Sequence, residues 1–256
     1  MTKLKRLICL LLICILSFSL AVPVYAEMEQ RMMIYTITYN TNGATGTIGG
    51  TGTIRSQSKP DGITVYLAST VPTKNNYIFC GWSETQNSQI ADYHPNDAYT
   101  ANRNVTLYAV WKPFSYADGS IYNSTFYYPP NGGTSGAATW SSEQCDGFAR
   151  LVYYTVNNYY IPKVAILKES FTPVTLTSSN LYSFLKSVGA GAYLRGNYVG
   201  GTASNEHSLY VVTYTSSTVT ILDANWSSAN TVNYRTLTHA DFLNRMSKVT
   251  CYFSHR

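Results

Sequence analysis

Apolar and polar positions alternate with a period of two through most of residues 34–112, and the period then changes. Ile34–Tyr39 alternates and runs into a turn at Asn40-Thr41-Asn42-Gly43. A Gly/Thr-rich loop over 44–59 follows, and then three further β-rich runs at Gly62–Leu67, Tyr77–Trp82 and Val105–Trp111. Beyond Lys112-Pro113, residues 116–136 are rich in aromatics, Pro and Gly and show no period. They read as a linker that wraps onto the next region, with a turn at Pro129-Pro130-Asn131-Gly132-Gly133. Spacing near 3.6 then takes over. Cys145, Phe148, Ala149, Val152 and Val156 fall on one stripe, which predicts a helix from about Ser142 to Val156 capped by Ser141 or Ser142. A shorter helix is expected at Ser179–Val188, ending at Gly189, then a strand at Ala192–Gly196 and a loop to Glu206. A hairpin of 207–214 against 218–225 follows, and Thr238-His239-Ala240-Asp241 has the form of a capping box opening a last helix. The expected class is α+β, with residues 115–256 the size of one ordinary domain.

The first residues lie outside this pattern. Lys3, Lys5 and Arg6 precede an apolar run from Leu7 to Leu20, and Val24-Tyr25-Ala26 has the small residues of a cleavage site. Residues 1–26 therefore read as a secretory signal peptide, which implies an exported protein. No later stretch is apolar for long enough to span a bilayer, so no membrane span is expected after cleavage.

Loss of the signal changes the charge picture. The formal charge of +5 loses three cations and no anion, which leaves about +2. No basic patch is interleaved with aromatics, so nucleic acid is not expected as a partner. Five cysteines fall to Cys80, Cys145 and Cys251, an odd number that leaves at least one thiol free. No His/Cys pair has metal-ligand spacing, and neither metal nor cofactor is expected. Cys80, Cys251, His239 and His255 are read as structural, and His94, before Pro95 in a polar loop, as a solvated side chain.

Cys145 is different because it opens the predicted helix. There it meets the positive end of the helix dipole and unpaired N–H groups, and both favour the thiolate. His207 heads one strand of the predicted hairpin, and Asp223 and Asn225 end the other. With a three-residue turn, Thr215-Ser216-Ser217, Tyr214 opposes Thr218 and His207 falls opposite Asn225, with Asp223 diagonal. A two-residue turn would instead set Trp226 opposite His207. Nucleophile, base and orienting group are the parts of cysteine catalysis. Cys145 takes the first role, His207 the second, and Asn225 or Asp223 the third. The Cys145 N–H is a candidate oxyanion donor, and the Gln144 side chain a weaker one. Taken singly, a buried cysteine on a helix is usually packing and a histidine at a strand start a satisfied polar group; their joint order makes the case.

Two resemblances refine this. Tyr-Thr-Ile-Thr-Tyr-Asn with Asn42-Gly43, Pro72-Thr73, Tyr77-x-Phe79-x-Gly81-Trp82 and Leu107-Tyr108-Ala109-x-Trp111 resembles a single Listeria–Bacteroides repeat, or internalin B-repeat, over 34–112. That implies a β-grasp-like, non-enzymatic module of secreted and surface proteins of bacteria and, with the signal peptide, a bacterial cell-envelope location. Gln-Cys-x-Gly-Phe-Ala-Arg, His-Ser-x-x-Val-Val and Asp-x-Asn-Trp resemble a papain-like cysteine hydrolase of CHAP or NlpC type. This second resemblance implies Cys145, His207, Asp223 and Asn225 as the site, and amide bonds of peptidoglycan or a cell-surface glycopeptide as the substrate. Gly191-Ala192, where that family often has Gly-Asp, and the long loop over 200–205 depart from the pattern. An amidase and an endopeptidase both fit, and so does a protease or transferase acting on proteins. The alternative from another class is a non-catalytic surface or adhesion protein with a degenerate hydrolase-like domain.

Overall fold

The computed structural model describes residues 33–50, 54–113, 125–127, 137–139, 144–159, 161, 172–197, 206–223 and 234–254. Residues 1–26, with the expected signal peptide, lie outside them. The first alternating run forms β1 (Ile34–Asn40), and the Gly/Thr-rich loop carries β2 (Gly46–Ile48) and β3 (Ser56–Pro60). Then come β4 (Val65–Tyr66), β5 (Val71–Thr73), β6 (Tyr77–Ser83), β7 (Ala98–Tyr99) and β8 (Val105–Pro113). The main sheet has the order β3-β1-β8-β6. Its centre is a parallel pair, with Ile37 opposite Val105 and Tyr39 opposite Leu107, and β6 lies antiparallel on the far side of β8.

Alternation explains the packing of β8, where Val105, Leu107 and Ala109 are buried and Thr106 and Tyr108 half-buried. In β6 alternation fails. A bulge between Phe79 and Gly81 lets Phe79, Cys80 and Trp82 all turn inward. Trp82 fills the centre, with Tyr39 and Phe79 edge-on at 4.9 and 5.0 Å. Such offset aromatic contacts each add about 0.5–1.5 kcal/mol to area burial.

β9 (Thr125–Tyr127) falls in the segment read as a linker and pairs antiparallel with β10 (Ala137–Thr139) just beyond it. Beyond it lie α1 (Gln144–Asn157), β11 (Val174–Thr175), α2 (Leu181–Val188), β12 (Ala192–Asn197), β13 (Glu206–Tyr214) and β14 (Thr218–Leu222). The last elements are β15 (Tyr234–Thr238), α3 (His239–Arg245) and β16 (Lys248–Phe253). The fold is therefore mostly β-sheet with a few helices, in the α+β sense. The stripe on α1 is buried as its spacing predicts, with Phe148, Ala149 and Val152 fully covered. Asn158, in the left-handed region at φ 53°, ends the helix, and Thr238 caps α3 by accepting the Asp241 N–H at 3.1 Å.

A six-stranded antiparallel sheet, β11-β16-β12-β13-β14-β15, organises this second region. Its strands alternate between two cores. Tyr193, Tyr210, Val212 and Leu222 join α1 and the first region, while Leu194, Leu209, Val211 and Ile221 pack with residues of α2 and α3. The first core thus runs without a break from Ile37 through Trp82 to Phe148 and Tyr210. The described residues from Tyr35 onward form one compact unit.

Polar contacts stitch the same seam. Phe79 N donates to Tyr234 Oη at 3.1 Å, Lys112 Nζ to the Thr155 carbonyl at 2.7 Å, and Asn96 Nδ2 to Thr213 Oγ1 at 3.1 Å. His94, expected in solvent, is buried here with Nε2 3.2 Å from Asn157 Oδ1. Its ring lies against Gly191, where φ is +81° and an added Cβ would come within 3.1 Å of the imidazole. A histidine in a polar loop thus becomes a contact because another chain segment, with a glycine, comes to meet it.

Candidate active site

The hairpin that carries His207 differs from expectation at its turn and agrees with it away from the turn. Tyr214 opposes Val219, not Thr218, and Thr215 N donates to the Thr218 carbonyl at 2.8 Å, so the chain turns in the register of a two-residue turn around Ser216-Ser217. A register shift between Val211 and Thr213 then offsets the register by one residue. Beyond it Val211 opposes Ile221 and Tyr210 opposes Leu222, the register that a three-residue turn would have set. Asn225 and Trp226 lie outside the described residues.

His207 and Asp223 meet inside this sheet. His207 Nε2 stands 2.7 Å from Asp223 Oδ2, and the two side chains are 2 % and 1 % exposed. The thiol of half-buried Cys145, at the mouth of α1, hydrogen-bonds to the same imidazole. Burial alone would lower the His207 pKa. The hydrogen bonds to Asp223 and Cys145, with the negative charge of each, outweigh it and push the value up to about 9. Cys145 is the second residue of α1, so its N–H is among those that an α-helix leaves without an internal partner. Gln144 opens the helix; its side chain lies outside what is described.

A second buried cluster fixes the helix mouth, and the sequence reading did not single it out. Asp146, next to Cys145, pairs with Arg150 one turn later, Oδ2 to Nε at 2.9 Å, with both side chains almost fully buried. Its Oδ1 accepts from Tyr193 Oη and, at 3.1 Å, from Ser208 Oγ. Arg195 Nη1 stands 3.9 Å from Oδ2, and Arg195 Nε donates to Glu206 Oε2 at 2.6 Å. Asp146 thus ties α1 to β12 and β13, on which Tyr193 and Ser208 sit, one residue from the thiol and one from the imidazole. Gly196, opposite His207, gives room on the other side: an added Cβ would lie 2.0 Å from the Lys248 carbonyl of β16. Asp146 and Arg150 at i, i+4 were the available sequence signal, but that spacing is equally that of an exposed helix pair.

Cys80 and Cys251 are buried elsewhere, Cys80 in the first region and Cys251 on β16. Among the described residues no group of three or more His, Cys, Asp or Glu is placed to hold a metal ion. No helix among them is long and apolar enough to cross a membrane.

Comparison with known proteins bears on the first region. No curated protein and no solved structure matches the chain. Residues 35–110 match the family model of the Listeria–Bacteroides repeat domain, and the chain carries one such repeat there.

Proposed function

We propose that this protein is a cysteine hydrolase that cleaves amide bonds, with peptidoglycan or a cell-surface glycopeptide as its substrate. The repeat would be a β-grasp-like module over 34–112, and residues 115–256 a papain-like hydrolase of CHAP or NlpC type. The observation that carries this reading is the buried line from Asp223 through His207 to Cys145 at a helix mouth. Listeria–Bacteroides repeats are typical of bacterial surface proteins, which suits an exported wall enzyme.

The mechanism follows from the raised basicity of His207. The imidazole takes the thiol proton, and the ion pair is held by Asp223 on the far nitrogen. The Cys145 thiolate attacks the amide carbonyl carbon, and the carbonyl oxygen becomes an oxyanion facing the unpaired N–H groups of α1. The imidazolium gives its proton to the departing amine as the C–N bond breaks, which leaves a thioester on Cys145. Water then attacks the thioester while His207 accepts its proton. The acid departs and the thiol is restored. Asp223 is the orienting group in this scheme, Asn225 a further candidate, and Gln144 a candidate second oxyanion donor.

Incubation of purified bacterial cell walls with the wild-type protein and with Cys145→Ala tests this directly. Wild type should release new amino termini and clear the suspension, and Cys145→Ala should do neither. Equal release by both would assign the activity elsewhere. Silence from both across wall types would support the second reading, a non-catalytic surface protein, which draws on the repeat.

A further inference from the structure

A cleft of about 750 Å³ opens where the repeat meets the far end of α1, within the range of small-ligand sites. Its two lips are among the more exposed large apolar side chains of the molecule, Ile90 on the repeat at 65 % and Tyr159 beyond α1 at 50 %. Half-buried Tyr252 and Phe253 of β16 also line it. The floor is already satisfied, because His94 and Asn157 hydrogen-bond to each other. Among the described lining residues Asp92 is the one carboxylate and none is Lys or Arg. Asp92 Oδ2 accepts from Ser83 Oγ at 2.7 Å and Glu84 N at 2.9 Å, which fixes the carboxylate and leaves Oδ1 unengaged among the described residues.

Apolar and aromatic lips with one fixed acceptor favour a ligand with C–H faces and hydroxyl donors. A lone quaternary ammonium would need a tight box of rings. Here the rings are spread: Tyr153 meets Tyr159 edge-on at 6.5 Å, and Tyr252 leans on Phe184 at 6.0 Å. We propose that this cleft binds a short, uncharged saccharide chain. Tyr159 is the stacking surface and Asp92 the acceptor for a sugar hydroxyl.

The same helix sets where such a ligand lies relative to the thiol. Tyr153 and Asn157 line the cleft, and Cys145 opens α1. At 1.5 Å per residue the separation along the axis is about 12–18 Å. An extended peptide covers that span in about four or five residues. Resting on the amide-hydrolase reading, this geometry selects a bond within the peptide of a peptide-substituted glycan over the bond that joins peptide to sugar.

Calorimetric titration of the full-length Cys145→Ala protein with the N-acetylglucosamine tetramer tests the cleft without turnover. The tetramer should bind, Tyr159→Ala should weaken binding about tenfold, and Asp92→Asn should weaken it by a smaller factor. Absence of binding at millimolar tetramer, unchanged affinity in Tyr159→Ala, or displacement by choline would each overturn the proposal. Tetramer binding without wall hydrolysis would retain the cleft and remove the hydrolase reading; hydrolysis without tetramer binding would do the reverse. With active enzyme, mass spectrometry of the products reads the spacing: cuts inside the peptide agree with it, and cuts at the sugar–peptide junction overturn it.

Discussion

Cys80 in the repeat and Cys145 in the second region are both free thiols on core-facing elements, and their surroundings are opposite. Cys80 is 1 % exposed at a strand bulge, and burial pushes its pKa up to about 12, well away from thiolate chemistry. Cys145 is half-buried at a helix mouth and shares a proton-accepting ring with a buried carboxylate. The buried charges divide in the same way. In the repeat, Lys59 satisfies its ammonium with neutral acceptors, the Asn102 Oδ1 at 2.6 Å and the Pro60 carbonyl at 3.0 Å. In the second region, Asp146, Arg150, His207 and Asp223 pair with one another around α1. A lone buried charge capped by neutral groups holds a loop in place. Buried charges that pair around a helix mouth hold that mouth, with Cys145 on it, against the sheet.

The sharpest way to break this contrast is to remove the carboxylate behind His207. Asp223→Ala should lower turnover about 10³–10⁴-fold with the fold intact, since loss of an orienting partner of that kind costs several orders of magnitude. Asn225→Ala should cost far less. Initial rates on wall fragments, with Tm as the control for folding, decide it. A dead Asn225→Ala beside an active Asp223→Ala would return the orienting role to the carboxamide.

Next in size is the Asp146 cluster. Asp146→Ala strands Arg150 inside the protein, and breaking one side of a buried pair costs about 3–5 kcal/mol. Lys59→Met in the repeat exchanges a singly held cation for an apolar chain and should cost about 1 kcal/mol or less. Urea unfolding of the two variants compares them. Equal costs would mean that the two regions handle buried charge alike.

The His207 pair also carries a pH signature. Its folded pKa of about 9 lies above the ordinary value of 6.5, so the protonated imidazole stabilises the native state. That contribution is fully present below about pH 6.5 and is lost as pH rises through about 9, and it is worth about 3 kcal/mol. Urea midpoints at pH 6 and pH 10 should show the loss in wild type and a smaller one in Asp223→Asn. The fall of activity on the alkaline side should move to lower pH in the same variant. An unchanged alkaline limb would separate His207 from the chemistry.

What the sequence makes legible follows the range of the forces involved. The stripe on α1, the Thr238 cap and the strands of the repeat rest on neighbours within a few residues, and each could be read from spacing. The register at Tyr210 was reached with the wrong turn, because the Val212 bulge compensates for a tighter turn set by Thr215. There Thr215 Oγ1 accepts from the Ser217 and Thr218 N–H groups, at 3.2 and 2.9 Å. The 248–253 segment escaped as a strand although it lies between β11 and β12 in the sheet. Asp146 and His94 were illegible for a different reason. Their partners Tyr193, Ser208, Asn157 and Gly191 lie 47 or more residues away, and nothing local marks an acid or an imidazole for burial.

A further modest effect bears on whether the two regions differ as folding units at all. Phe79 N, beside the bulge of β6, donates to Tyr234 Oη across the seam, and Tyr234 sits opposite Leu222, the neighbour of Asp223. Tyr234→Phe keeps the ring and removes the acceptor, leaving a buried N–H unpaired at a cost of about 1–2 kcal/mol. If the continuous core makes the repeat and the site one cooperative body, native-state hydrogen exchange should register that loss equally on β8 and β13. The repeat would then be a fixed wall behind α1, and its loss would loosen the helix mouth that carries Cys145. Reduced protection confined to β6 and β8 would instead make the repeat a separately unfolding module, with a second region that stands without it.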